Sequence, residues 1–523
     1  LDWLYGVDVD DEDNDESTSD AREDIMGDPL HSKPLAINFG SKPVYDGGKL
    51  VSENLDVRIL VGTNQGLVHM FKDSDSGSSD YSIGSVSESW AFIPNELLGN
   101  IPKLRDNPAT GVHSVYGMDL SPVAYTKTKS GGESDGEIDI AWVFLGMRSG
   151  GASYYALDIS KPDSPSFKWL INSDTTGFED LGETWSEPVV TTLNGITDPV
   201  LVFGGGMASA QGTGQAIYIV NANTGAFIAK FADADMGSIA TRVAVLDSDN
   251  DGYTDRIYAS DITGNVWRMD LAGTDNTKWT VFKFAAIAGA APDNRMFFAG
   301  PVVAQTEFNN VHSDGTTLSY QKIPYDAVTI GSGNRDNPLG LSIKDKFYVF
   351  QDRNVVTQNF AIKPATLTST DLYDVTTSAP SGNAADIAFG KLKGWYYSFP
   401  AAGEKSLSAS LIFKGKVHFT SFVPPTNQAV DLDAGVCGFS GQGRLYVFDL
   451  HKGTRSYSQV YYEVGERVPD TPQIVIPKPE DGKPADAYII GVGKGECQNG
   501  ECTGTIGLGG GLNTNKIYYH INE

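Results

Sequence analysis

The chain has 523 residues, of which 58 are glycine, and a formal net charge of −27. That acidity excludes nucleic acid as a partner, whose phosphates want Lys and Arg, and suits a soluble protein in a cation-rich medium outside the cell. No stretch approaches the ~18 apolar residues of a membrane-spanning helix, and the length can hold several domains or one long all-β unit.

The chain opens Leu1-Asp2-Trp3, with neither an initiating Met nor a signal segment. It reads as the C-terminal portion of a longer protein, so the missing targeting signals say nothing about location. Residues 1–27 read as an acidic, flexible leader, with Asp8, Asp10, Asp11, Glu12, Asp13, Asp15 and Glu16 nearly contiguous. No Gly occupies a turn there, so the stretch resembles a cation loop only loosely. The folded domain is expected over residues 28–523, starting near Asp28-Pro29-Leu30-His31.

Short strand patterns then recur between turn signals. Several end in one phrase, an aromatic or apolar pair followed by Asp or Asn: Tyr154-Tyr155-Ala156-Leu157-Asp158, Ile217-Tyr218-Ile219-Val220-Asn221, Val266-Trp267-Arg268-Met269-Asp270 and Leu445-Tyr446-Val447-Phe448-Asp449. Each looks like an inner or middle strand of a repeated four-stranded unit. A repeat of roughly 50 residues built from short antiparallel strands predicts an all-β fold, a modified β-propeller of about seven blades with insertions between strands. Residues 74–86, 128–138 and 307–323 are polar candidates for those insertions. A pair of packed β-sandwiches is the competing architecture.

The most informative stretch is Asp247-Ser248-Asp249-Asn250-Asp251-Gly252-Tyr253-Thr254-Asp255. Asp247, Asp249, Asp251 and Asp255 fall at positions 1, 3, 5 and 9 of a calcium loop, and Gly252 at position 6, where the chain must turn sharply. Four carboxylates and the backbone carbonyl of Tyr253 at position 7 supply most of the oxygen shell of a hard cation. Without a cation, carboxylates packed this closely repel one another. The bidentate Glu of a helix-loop-helix hand is missing, since position 12 is Tyr258. The flanks, Val243-Ala244-Val245-Leu246 and Arg256-Ile257-Tyr258-Ala259, read as strands. This is therefore a calcium loop on a hairpin, with Asp255 closing the shell.

Three cysteines are present. Cys497 and Cys502 span a turn able to join them as a disulfide in an oxidising compartment, and Cys437 is left as a buried free thiol. The chain has no His-Glu-x-x-His, Gly-x-Ser-x-Gly or phosphate-loop pattern, and Gly491-Val492-Gly493-Lys494-Gly495 has the spacing of a turn, not of a phosphate cradle. His31, His69, His113, His312, His418, His451 and His520 show no metal spacing. No catalytic chemistry is expected. Two alternatives stand beside a non-enzymatic reading. One is a quinoprotein dehydrogenase, whose propeller holds calcium beside a quinone, although this chain lacks the adjacent cysteine pair. The other is a lectin-like propeller stacking sugars on Trp185 or Trp395.

Further segments carry a resemblance: Gly27-Asp28-Pro29-Leu30-His31-Ser32-Lys33-Pro34, Val61-Gly62-Thr63-Asn64-Gln65-Gly66, Trp90-Ala91-Phe92-Ile93-Pro94, Gly146-Met147-Arg148-Ser149-Gly150-Gly151, Thr184-Trp185-Ser186-Glu187-Pro188 and Thr263-Gly264-Asn265-Val266-Trp267-Arg268. Together they resemble the C-terminal domain of the PilY/PilC family, over nearly the whole chain after residue 25. The resemblance implies a modified β-propeller at the tip of type IV pili, at the cell surface or outer membrane. It implies roles in pilus assembly, adhesion and twitching motility. Its partners would be pilin or minor pilin components and a host-surface receptor. It also implies that calcium at the matching loop sets the balance of pilus extension and retraction. Some relatives carry Arg-Gly-Asp; Arg22-Glu23-Asp24 stands here instead, so that integrin contact is not expected through this segment.

Overall fold

The computed structural model describes residues 2–22, 26–41, 45–46, 49–50, 55–73, 86–106, 115–130, 136–289, 294–425, 441–456, 458–475, 486–490, 497–498, 501–502 and 506–510. Glu23, Asp24, His113, Cys437, Gly491 to Gly495, His520 and much of the 74–86 and 128–138 stretches lie outside the described residues. The chain divides into two compact units, Leu1–Ala232 with Ser238–Ala240, and Asp233–Gly237 with Thr241–Glu523.

The first unit holds three four-stranded sheets whose strands pair in chain order. The first is Leu35–Asn38, Val57–Gly62, Val68–Asp73 and Val86–Phe92; the second Val123–Thr128, Ile138–Gly146, Tyr154–Asp158 and Ser166–Ile171; the third Val189–Thr191, Val200–Gly204, Ile217–Asn221 and Phe227–Phe231. Neighbouring sheets share cores. Leu60, Met70 and Met118 pack with Val143 and Leu145, while Phe144 and Tyr154 pack with Phe203 and Tyr218.

The second unit continues the pattern. Its first sheet is Ala244–Leu246, Arg256–Ser260, Asn265–Asp270 and Thr280–Ala286. The next joins Val302–Ser313, Leu318–Gly331, Lys346–Asp352 and Gly394–Ser398, with Tyr373–Asp374 added in parallel at its edge. Leu411–Phe413, Lys416–Val423, Gln442–Asp449 and Tyr462–Glu463 form another. A three-stranded sheet follows, of Gln473–Val475, Asp486–Ile490 and Ile506–Gly510. Among the described residues this makes seven up-and-down sheets of three or more strands, the blade pattern expected from the sequence. The short ladder Cys497–Gln498 with Glu501–Cys502 sets Cys497 opposite Cys502 along the backbone.

The recurrent Asp-ended phrase marks the third strand of its sheet in every case, and its cause is local. In three of the four the terminal carboxylate or amide accepts backbone N–H groups of the turn that follows: Asp158 from Ser160, Asn221 from Asn223 and Thr224, and Asp449 from His451 and Lys452, while Asp270 accepts the Arg268 guanidinium and the distant Gln358 N–H. Such a side chain satisfies the donors that the strand's end leaves open. The stretch 307–323, a candidate insertion by sequence, is the outer part of one long hairpin, paired continuously from Val302↔Thr329 to Ser313↔Leu318. Its buried apolar residues, Phe308 and Val311, stand three apart and so fall on opposite faces, and no period-two alternation betrays the strands.

Arg256, Tyr258, Arg268, Asp270, Asp326 and Asp352 form a network of side chains almost wholly withdrawn from solvent, joining the first two sheets of the second unit. Arg256 pairs with Asp326 at 3.1 Å, and Arg268 with Asp352 at 2.6 Å and Asp270 at 2.7 Å. Three carboxylates face two guanidinium groups, which leaves one carboxylate in excess. Burial pushes the Asp326 carboxyl up to about 6, against the opposing pull of Arg256. The folded chain therefore holds a proton there that the unfolded chain releases near pH 4. Stability from this proton is present below about pH 4 and lost as pH rises to about 6. In urea unfolding, the stability of the wild type relative to Asp326→Asn should fall by on the order of 3 kcal/mol across that window and then level off. A pH-independent difference would show that folding does not raise the Asp326 carboxyl.

Candidate functional site

Strands Ala244–Leu246 and Arg256–Ser260 pair antiparallel with Leu246 opposite Arg256, so residues 247–255 form the connecting loop. Asp255 N–H donates to the Leu246 carbonyl at 2.9 Å, closing the hairpin at its base. The turn passes through two left-handed residues, Asn250 at φ 60° and Gly252 at φ 90°. Asn tolerates that region better than most side chains, and Gly without penalty.

This backbone course turns the carboxylates inward. Asp247, Asp249 and Asp255 each place one carboxylate oxygen within 4.8 Å of the others. Asp247 Oδ2 accepts Gly252 N–H at 2.9 Å, while its Oδ1 is shielded from solvent and has no hydrogen-bond partner. A buried carboxylate oxygen without a donor is costly unless a cation meets it. The charge of Asp255, and after it partial desolvation, holds the Asp249 carboxyl above its ordinary range. The residues present thus fit a hard, oxygen-seeking divalent cation.

Of the five residues expected in the shell, three converge. Asp251 is not in the group of three; its Oδ1 accepts Tyr253 N–H at 2.9 Å. Tyr253 follows in the same turn with an exposed side chain. Tyr258, at the position of the missing Glu, is buried, with its hydroxyl 2.8 Å from Asp326 Oδ2 and 2.9 Å from Asp352 Oδ2.

The acidic stretch that resembles a cation loop only loosely by sequence forms a second acidic turn. Residues 2–22 follow a closed course, with Val7 bridged to Ala21, Asp8 and Trp3 buried, and the Arg22 guanidinium 4.0 Å over the Trp3 ring. Within it Asp11, Asp13 and Asp15 also bring carboxylate oxygens within 4.8 Å of one another. The local pattern repeats that of 247–253. Asn14 and Glu16 take φ of 59° and 71°, and Asp11, Asp13 and Asp15 accept the N–H groups of Glu16, Asp15 and Ser17. The reading from sequence required Gly at the turn; here Glu16 adopts the left-handed conformation, at a cost of roughly 1–2 kcal/mol.

Other expected positions resolve differently. Trp395 is fully buried and donates to the Leu450 carbonyl, so it cannot stack on a sugar. Trp185 has the Arg148 guanidinium 3.9 Å over its ring. Arg148, in a left-handed conformation at φ 49°, also reaches buried Asp119 and His31 Nδ1, and His31 Nδ1 lies 2.8 Å from Asp119 Oδ2. Neither converging acidic group among the described residues contains a histidine.

Residues 40–322 match the family described as the PilY1 beta-propeller domain. A type IV pilus biogenesis factor PilY1 homolog of Xylella fastidiosa is 26% identical over 430 residues, covering 77% of this chain and 26% of the relative. The type IV pilus biogenesis factor PilY1 of Pseudomonas aeruginosa is 29% identical over 269 residues, 48% of this chain and 21% of the relative. The chain thus spans about a quarter of the length of these relatives. The crystal structure of the Pseudomonas aeruginosa PilY1 C-terminal domain aligns with a TM-score of 0.55 at 19% identity, over 86% of this chain and 92% of that one, a likeness of fold.

Proposed function

This chain belongs to the PilY1 beta-propeller family and has its all-β propeller fold, and on that premise we propose that it is the calcium-responsive portion of a type IV pilus biogenesis factor. Its relatives are named as biogenesis factors, which supports a non-catalytic role in assembling pili with pilin or minor pilin components at the cell surface. Adhesion to a host surface, twitching motility and placement at the pilus tip belong to the same reading.

The observations that carry the calcium part are the convergence of Asp247, Asp249 and Asp255 and the shielded, unpartnered Oδ1 of Asp247. These three would hold the ion, with Asp251 and the Tyr253 carbonyl available to complete the shell. Bound calcium would supply positive charge that relieves the repulsion among the carboxylates. Relief of that repulsion on a surface hairpin is a switch of local electrostatics, and we read it as the input that balances pilus extension against retraction.

Titration calorimetry tests the metal assignment. Calcium should bind with affinity on the order of micromolar, because the bidentate Glu is absent, and magnesium at least ~10-fold more weakly, because a flexible many-oxygen loop suits the larger ion. Equal affinity for the two ions would refute the assignment.

A further inference from the structure

Ser248 lies between two of the converging aspartates without being a ligand candidate, yet it carries the loop's contacts to the neighbouring sheet. Its backbone N–H and its hydroxyl both donate to Asp255 Oδ2, at 2.7 and 2.5 Å. A hydroxyl has one hydrogen, and here it is committed to the carboxylate. The 3.3 Å contact between Ser248 Oγ and Thr357 Oγ1 must therefore run from Thr357 to Ser248. The Ser248 carbonyl accepts Gln305 Nε2 at 3.0 Å, from the first strand of the next sheet.

Thr357 belongs to a segment without regular structure that leaves the strand Lys346–Asp352. That segment is fastened on either side of Thr357 to the buried ion network. The Asn354 carbonyl accepts Arg268 Nη1 at 2.8 Å, and Gln358 N–H donates to Asp270 Oδ1 at 3.3 Å. Between these anchors its outer face is open to solvent, with Val356 68% exposed.

We propose that Ser248 is a positioning residue for the cation, and that the 354–358 strap is the element through which the neighbouring sheet registers occupancy of the loop. This rests on reading 247–255 as a calcium site. The two donors of Ser248 fix the rotation of the Asp255 carboxylate, the group whose charge bears most on Asp249. With the loop empty, mutual repulsion of the three carboxylates works against that fixed geometry. A cation reverses the sign of the force, and a tighter Asp255 holds Ser248 as a firmer acceptor for Thr357. The coupling is reciprocal: what calcium does to the strap, the strap does to calcium affinity.

Hydrogen exchange of the chain with and without calcium, beside calorimetry, tests this. In the wild type, calcium should slow exchange both at 247–255 and at 354–358. Ser248→Ala should weaken calcium binding about 10- to 100-fold, as losses of outer-shell partners do, and Ser248→Thr should restore it to within a few-fold. Thr357→Val should keep the protection at 247–255 while losing it at 354–358. Wild-type affinity in Ser248→Ala, or unchanged strap protection in Thr357→Val, overturns the proposal alone. No calcium-dependent protection at 247–255 in the wild type overturns the calcium reading and this proposal with it.

Discussion

Asp255→Ala is expected to abolish calcium binding at the 247–255 loop. Position 12, where a helix-loop-helix hand places its bidentate Glu, is filled by Tyr258, whose ring is buried. Closure of the shell therefore falls to Asp255, one of only three carboxylates that converge. Calcium affinity across loops of this kind is set largely by ligand charge and rigidity, and this substitution lowers both. The loss should be at least ~100-fold by calorimetry. Asp247→Ala should behave alike, since it removes the shielded oxygen that has no other partner. The fold should survive either change. Leu246 still pairs with Arg256, and the sheet's two middle strands are buried along their whole length. What the variants should lose is the stabilisation, at most a few kcal/mol and read as a rise in melting temperature, expected of calcium in the wild type by mass action. Retained calcium binding, or collapse of the β circular dichroism, would show the loop to have been misread.

Asp251→Lys is expected to do the opposite in cells. The Asp251 carboxylate stands outside the converging three, so its replacement leaves Asp247, Asp249 and Asp255 in place. A lysine there carries a compact ammonium on a flexible four-carbon stem, able to settle among those carboxylates and imitate the occupied loop. If the switch responds to neutralised charge, bacteria with Asp251→Lys should keep surface pili at wild-type number without added calcium. They should retract them poorly, with twitching zones reduced several-fold. Bacteria with Asp255→Ala should lose surface pili while retraction continues. Wild-type piliation and twitching in both strains would reduce the loop to a structural turn.

The difference between these two aspartates marks how far the sequence could be read. Periodic aspartates between two strand patterns located the hairpin, because the spacing of ligands along a loop is itself the local signal. The third strands were legible for a similar reason, since an Asp or Asn that caps the following turn sits at the strand's end in sheet after sheet. Spacing alone could not tell that Asp251 would accept Tyr253 N–H while its three partners converge. Nor could it reveal the turn at Asp11 to Glu16, where a glutamate takes the conformation that Gly usually fills. The contacts of His31 with Asp119 and Arg148 join residues 88 and 117 positions apart. Each lies in a glycine-bearing segment, and nothing local pairs them. Ser248 is the same case, because a serine between two aspartates gives no sign that Thr357 and Gln305 meet it.

The most direct test of the calcium loop is diffraction from crystals of this chain grown in calcium, with anomalous scattering used to place the ion. The expected result is one calcium between Asp247, Asp249 and Asp255, with carboxylate oxygens at roughly 2.3–2.6 Å and the Tyr253 carbonyl in the shell. Saturating calcium with no anomalous density inside the 247–255 loop would contradict it.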